Sequence, residues 1–514
     1  MYKHDVSMHA YSLLFVLCNM MFFSRLLVLF AIISIASADD NDGHHNKKKK
    51  AVFSVEKNGK CQGEWTMSEM SKEDEVGLNK SELTERISSL EEAIAALQEE
   101  VAALMKERTT PFSEDVKDLK SQVAHLYHAQ IVIQIKTASE HNDIATIVDL
   151  MNSHLSASQV QQQGCAALRN LAINVDNQLS IAKAGGIAAI VNGMEANRDQ
   201  DVVQEQGCTA LANLAVNVEN QLSIVKVGGI ATIISCMEDH RAHPGVQEYG
   251  CWALRNLSAN NNDNQVSIDK AGGITTIINA METHRARADV QQQGCAALAN
   301  LANNPESQVS IAKAGGIATI VGCMEAHRDH PAVQEQGCWA LWNLAANNTD
   351  NQWRIAEAGG IDTIVIGMKA HHDQAGVQQQ GCAALRNLAA TVEIQVSIAM
   401  AGGIPTIVSA MKALGDHAGV QEQGCAALAN LAVNADNGVW IVKVGGIVAI
   451  MSGMAAHVDH DGVQQQGCRA LYILSWSPKV ALLIEEAGGV KVLEAAYKCE
   501  YAEDALLNIR KAYM

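Results

Sequence analysis

From about residue 143 onward, apolar positions fall in stripes three and four residues apart, and the stripes themselves recur every 43 or 44 residues. Ile187, Ile190, Val191 and Met194 make one such stripe; Leu168, Leu171 and Ala172 make another. Spacing of this kind predicts amphipathic helices. The polar intervals repeat as faithfully. Val-Gln-x-Gln-Gly-Cys-x-Ala-Leu-x-Asn-Leu-Ala recurs with its Gly-Cys at 164, 207, 250, 294, 337, 381, 424 and 467. A second phrase, Ala/Val-Gly-Gly-Ile/Val, keeps the same beat from Gly185-Gly186 to Gly488-Gly489. A fixed period of this size predicts a solenoid, in which each unit buries its apolar face against its neighbours.

Each unit reads as three helices. The first is short, as in Asp176–Ala184, with Asp or Asn suited to capping its start. The double glycine stops it, since glycine takes a left-handed turn without penalty. The second helix begins at Ile187, and the Gly-Cys phrase is the third. Ile144–Ala172 supplies an opening second and third helix without the glycine start, and residues 479–514 supply a shortened capping unit. No strand pattern competes.

The period, the Ala-Gly-Gly-Ile junction and Ala-Leu-x-Asn-Leu-Ala on the third helix resemble the armadillo repeat family over about Asp143–Met514. Gln-Glu-Gln-Gly-Cys-Trp-Ala-Leu (Gln334–Leu341) is most similar to the armadillo region of leucine-rich-repeat kinases and related protist proteins. No kinase signature, phosphate loop or leucine-rich repeat accompanies it. The resemblance therefore implies an all-α, right-handed solenoid that binds proteins, over residues 143–478, and no enzyme.

Ahead of the repeats the pattern changes. Leu83, Ile87, Leu90, Ile94, Leu97, Val101 and Leu104 alternate spacings of four and three, with β-branched residues at a and Leu at d. This predicts a coiled coil over 78–108 and a parallel homodimer through Leu83–Leu104. The alternative is one amphipathic helix folded back on the solenoid. Thr109-Thr110-Pro111 ends the segment, and a linker helix over 109–142 carries Val116, Leu119, Val123 and Leu126. Residues 39–77 read as a polar, irregular linker containing Lys47–Lys50. Arg25, the apolar run Leu26–Ala36 and Ala36-Ser37-Ala38 have the layout of a signal peptide over 1–38. The expectation is secretion or an endomembrane lumen, with membrane attachment only if the segment stays uncleaved. The alternative is a cytoplasmic or nuclear protein.

Composition narrows the partners. A net charge of −18 argues against nucleic acid, which demands basic surface. Eight of the 13 cysteines occupy one repeated helix position, as small buried hydrophobes. Cys236/Cys251 and Cys323/Cys338 flank the turns of two hairpins, where an intra-repeat disulfide is conceivable. Histidines pair at i, i+3 (His240/His243, His327/His330, His457/His460) without further ligands, so no metal is expected. No catalytic constellation and no cofactor motif is present.

The candidate site is a face of the third helices. With Leu168 turned inward, Asn170 points the other way, and the asparagine recurs as Asn213, Asn256, Asn300, Asn343, Asn387 and Asn430. Carboxamides can pair with the main chain of an extended peptide, and the armadillo resemblance implies that role; the alternative, compatible with it, is that each asparagine caps or staples neighbouring helices. Trp252 and Trp339 sit one turn earlier, and Glu205, Glu248, Glu335 and Glu422 one turn before that. Together they predict a scaffold for extended, somewhat basic peptide segments. The Trp–Asn pairing also resembles importin-α. This leaves an import-type adaptor, or a regulatory solenoid serving a kinase or GTPase, as alternatives.

Overall fold

The computed structural model describes residues 52–55, 61–64, 113–496 and 499–513, with side chains from residue 121. The signal segment and the heptads lie outside the described residues. The chain divides into two units, Met1–Glu100 and Val101–Met514.

The first unit contains a small antiparallel hairpin, β1 (Val52–Val55) paired with β2 (Cys61–Glu64), in register Val52↔Glu64 to Val55↔Cys61. It falls where the polar pattern predicts an irregular linker. The cue was local: Val-Phe-Ser-Val is strand-forming, and the connecting sequence holds Asn58-Gly59, the dipeptide that tight hairpin turns favour.

The second unit is an all-helical solenoid. A leading helix α1 (Ser113–Glu140) is followed by α2 (Ile144–Ser153) and α3 (Ser158–Leu171). The first full triplet is α4 (Val175–Lys183), α5 (Gly186–Ala196) and α6 (Asp201–Leu214), and the pattern then continues to a last helix at Glu500–Lys511. No single described helix is long and apolar enough to cross a membrane. The capping residue of each first helix lies earlier than Asp176: Asn174 accepts from the Asp176 amide at 2.9 Å, and Asn217, Asn261, Asn304, Asn348 and Asn434 do likewise in later repeats. The first glycine of each pair has φ between 80 and 88°, which only glycine adopts freely. In four of the repeats, first and second helices consequently meet at 68–73°.

Third helices pack chiefly on third helices, giving a continuous inner layer. Its close approach depends on the Gly-Cys glycine. A Cβ at Gly337 would lie 2.5 Å from Cγ and Sδ of Met324, the last inward residue of the preceding second helix. The same Met–Gly contact recurs from Met151–Gly164 to Met454–Gly467. Beside it runs a buried glutamine rail. Gln161, Gln204, Gln247, Gln291, Gln334, Gln378, Gln421 and Gln464 each donate Nε2 to two carbonyls at the end of the second helix, ten and seven residues back, at 2.7–2.9 Å. The carbonyl seven back also accepts the backbone N–H three residues on, so the glutamine ties the end of the second helix to the turn that follows it; a buried carbonyl left with no partner costs about 1–3 kcal/mol.

The histidines act in the same way. His240, His284, His327, His371 and His457 each bring Nε2 within 2.6–2.9 Å of a loop carbonyl of the preceding repeat. A carbonyl only accepts, so Nε2 carries the proton. His243 and His460 cap third helices through Nδ1. Among the described residues no three His, Cys, Asp or Glu converge on a metal position.

The cysteines pair differently from the hairpin expectation. Cys236 Sγ lies 3.2 Å from Cys208, and Cys323 Sγ 3.3 Å from Cys295, so each faces the preceding third helix and not its own. Glycine at the equivalent position faces that same helix, since a Cβ at Gly193 would strike Gln161. Burial pushes the Cys165 and Cys382 thiols up to about 12.

Gly337→Ala should lower unfolding stability by about 1–3 kcal/mol, through overpacking against Met324. Gly337→Ala combined with Met324→Ala should recover part of that loss. Denaturant titration of the single and double variants measures both.

Candidate peptide-binding groove

The predicted face exists, but its asparagines are partly committed. Asn213, Asn256, Asn300, Asn343, Asn387 and Asn430 each donate Nδ2 to a carbonyl of the preceding third helix, at 2.8–3.1 Å. The acceptor is always the residue just before the previous asparagine (Arg169, Ala212, Arg255, Ala299, Trp342, Arg386). The ladder therefore staples successive third helices through orphan carbonyls of their last turns. Asn300 and Asn343 are buried, Asn213, Asn256, Asn387 and Asn430 are half-buried, and Asn170 is exposed.

Trp252 and Trp339 stand half-buried against the core, one turn ahead of Asn256 and Asn343. Two aromatics that the periodic reading passed over join them. Tyr249 lies 6.2 Å from Trp252, centroid to centroid, and Trp342, three residues after Trp339, is likewise half-buried against the core. Both were visible as departures, since Tyr249 replaces the glutamine found at Gln163, Gln206 and Gln293.

Glu205, Glu248, Glu335 and Glu422 are all half-buried. The first two belong to an acidic cluster. His243 sits 3.6 Å from Asp201 and 3.8 Å from Glu205. Burial, then Asp289, raises the Glu248 carboxyl above the ordinary carboxylate value; Arg287 offsets this and Glu205 adds to it. Arginines punctuate the same face. Arg169, Arg255 and Arg386 each donate Nη1 to the glutamine one repeat on, Gln206, Gln293 and Gln423, at 2.6–3.1 Å. The face mixes its charges along its length: Arg255 follows Trp252 by one turn, and Glu422 lies in the repeat between Arg386 and Arg469.

The family model for the LRRK2 ARM repeat matches residues 116–360. No curated protein matches the sequence. An engineered protein solved by crystallography is 27% identical, with a TM-score of 0.63, over 80% of this chain and 98% of its own. A designed armadillo repeat protein in complex with the peptide (KR)4 is 22% identical, with a TM-score of 0.42, over 48% of this chain and 99% of its own. A structure from work on cadherin and β-catenin is 14% identical, with a TM-score of 0.38, over 75% of this chain and 96% of its own.

One expectation falls to these comparisons. The N-terminal apolar run points to secretion or an endomembrane lumen, whereas the relatives are cytoplasmic or nuclear proteins.

Glu248→Gln should stabilise the fold near neutral pH. A carboxyl whose folded value is raised is penalised wherever it is ionised in both states, above the folded value; below the unfolded value it is protonated in both. The gain should therefore shrink as pH falls through the ordinary carboxylate range. Urea titrations of both proteins at neutral and acid pH test this.

Proposed function

Taking as premise that the chain folds as an armadillo-repeat solenoid, we propose that it is a non-enzymatic scaffold that holds extended, somewhat basic peptide segments along its third-helix face. The observation that carries this reading is the half-buried Tyr249–Trp252 pair beside Glu205 and Glu248. Aromatic faces accept the stems and charges of Lys and Arg, and the neighbouring carboxylates supply the countercharge. Stapling uses the Nδ2 of Asn213, Asn256, Asn300, Asn343, Asn387 and Asn430. An amide oxygen can still accept from a peptide N–H where it is accessible, as at the half-buried Asn213 and Asn256; that of Asn170 already accepts from Arg169. The designed relative bound to (KR)4 is a protein of the same repeat type with a basic peptide. Asn387, Asn430, Glu335, Glu422 and Trp339 extend the face toward the C-terminal repeats, with the buried Asn300 and Asn343 serving the stack. The heptads Leu83–Leu104 make the scaffold a parallel homodimer in this reading, so that two grooves act together.

Testing the groove calls for leaving the stapling asparagines intact. Trp252→Ala with Trp339→Ala is suited to this, because Ala already stands at that position in Ala166, Ala296, Ala383 and Ala426. The pair should weaken binding of Lys/Arg-containing peptides by about tenfold or more, read by fluorescence anisotropy, with the thermal transition nearly unmoved. Unchanged binding would overturn the assignment. Leu90→Pro with Leu97→Pro should halve the mass found by sedimentation equilibrium, and an unchanged mass would rule out the coiled-coil dimer.

A further inference from the structure

The C-terminal end of the groove holds a feature that a basic peptide does not explain. An open cavity of 670 Å³ is lined by Arg386, Asn387, Asn430, Gln465, Arg469 and Tyr501, among others. Its two guanidiniums come from repeats two apart. Each has a neutral partner: Arg386 donates to Gln423 at 2.9 Å, and Arg469 to Asn430 at 2.7 Å. Among the described residues neither makes an ion pair. Burial lowers Arg469 from its ordinary value; Tyr501 offsets this in part, and the like charge of Arg386 adds to it. Two half-buried cations facing one space, with amides for company, is an arrangement in want of an anion.

Arg469 also departs from the repeat. It stands at the position that Trp252 and Trp339 occupy earlier, and the repeat between Arg386 and Arg469 carries Ala426 and Ala429 there and just before its asparagine. A row that begins aromatic thus ends cationic.

We propose that this cavity seats the phosphate of a phosphorylated residue on the peptide that the groove holds, a proposal that rests on the groove reading above. A phosphate monoester carries about −1.5 to −2 charges, against two for the pair of guanidiniums, and its oxygens match their planar donor forks. A single carboxylate would leave one cation unanswered. The site is open and spans the helices from Ala345 to Tyr501, so an extended segment can cross it and present one side chain to both guanidiniums. The distance from Trp252 is about four repeats, some 40 Å, or roughly twelve residues of extended chain. The preferred ligand is therefore a segment with Lys or Arg at one end and a phosphorylated residue about a dozen positions away.

The test uses the full chain and three matched peptides of this design, bearing serine, glutamate or phosphoserine at the distal position. The phosphoserine peptide should bind at least about tenfold tighter than the serine peptide. Arg386→Ala with Arg469→Ala should abolish that gain, read as the ratio of phosphoserine to serine affinity falling to about one. Alanine stands at equivalent positions in other repeats, such as Ala299 and Ala296, so the variant keeps the fold. Equal binding of glutamate and phosphoserine, a gain that survives the double substitution, or retention on phosphoinositide vesicles without any peptide gain would each overturn the proposal. Inorganic phosphate separates the two readings. At equal ionic strength it should raise the melting temperature of the native chain by about 2 °C over chloride, and leave the double variant unmoved. Stabilisation by phosphate with no peptide bound at all would sink the groove and keep the anion site. Peptide binding indifferent to phosphorylation, with no phosphate stabilisation, would sink the anion site and keep the groove.

Discussion

Carbonyl groups at helix ends set the terms of this structure. A unit of 43 residues contains three short helices, and each helix leaves carbonyls in its last turn without an intrahelical partner. In a thin stack many of these ends are shut away from water. The repeat answers with side-chain amides: Gln334 closes the second helix, Asn343 closes the third helix of the unit before it, and Gln308 reaches Ala302 from the first helix. The close packing enforced by Met324 against Gly337 is tolerable only because these groups are paired.

That demand also sorts the polar residues. Those present in every copy or nearly every copy are mostly consumed by the stack, as with the glutamine rail, the stapling asparagines and the histidines at the ends of second helices. Binding chemistry is left to positions where the copies disagree. Trp252, Tyr249, Glu248, Trp342 and Arg469 all break the pattern, and all stand half-buried on the third-helix face. The Tyr249–Trp252 pair and the guanidiniums of Arg386 and Arg469 lie on the same face several repeats apart, so the surface has a direction.

Much of the fold was legible because eight imperfect copies report on each position. Helix order, the left-handed glycines and the inward stripes could all be read from the period. The purpose of the asparagine was harder to see. Helical geometry places Asn343 opposite Leu341, which reads as outward, yet in a stack the opposite side of one helix borders the next, and Asn343 is buried there. The nearest neighbour of Cys236 also depends on nesting: a hairpin considered alone brings it toward Cys251, while the neighbouring repeat brings Cys208 to 3.2 Å. Relations within a repeat show in the period; those between repeats depend on how the units nest. The hairpin Val52–Val55/Cys61–Glu64 escaped because it occurs once, with no replicate to raise it above a polar background.

The asparagine staple carries a genetic consequence. Its donor always belongs to one unit and its acceptor to the unit before, so any whole repeat presents the same sockets at both ends. Unequal recombination that adds or removes whole repeats in frame among Asn213–Asn430 keeps a donor facing an acceptor at the junction. The length of ligand the groove can span then scales with the number of repeats.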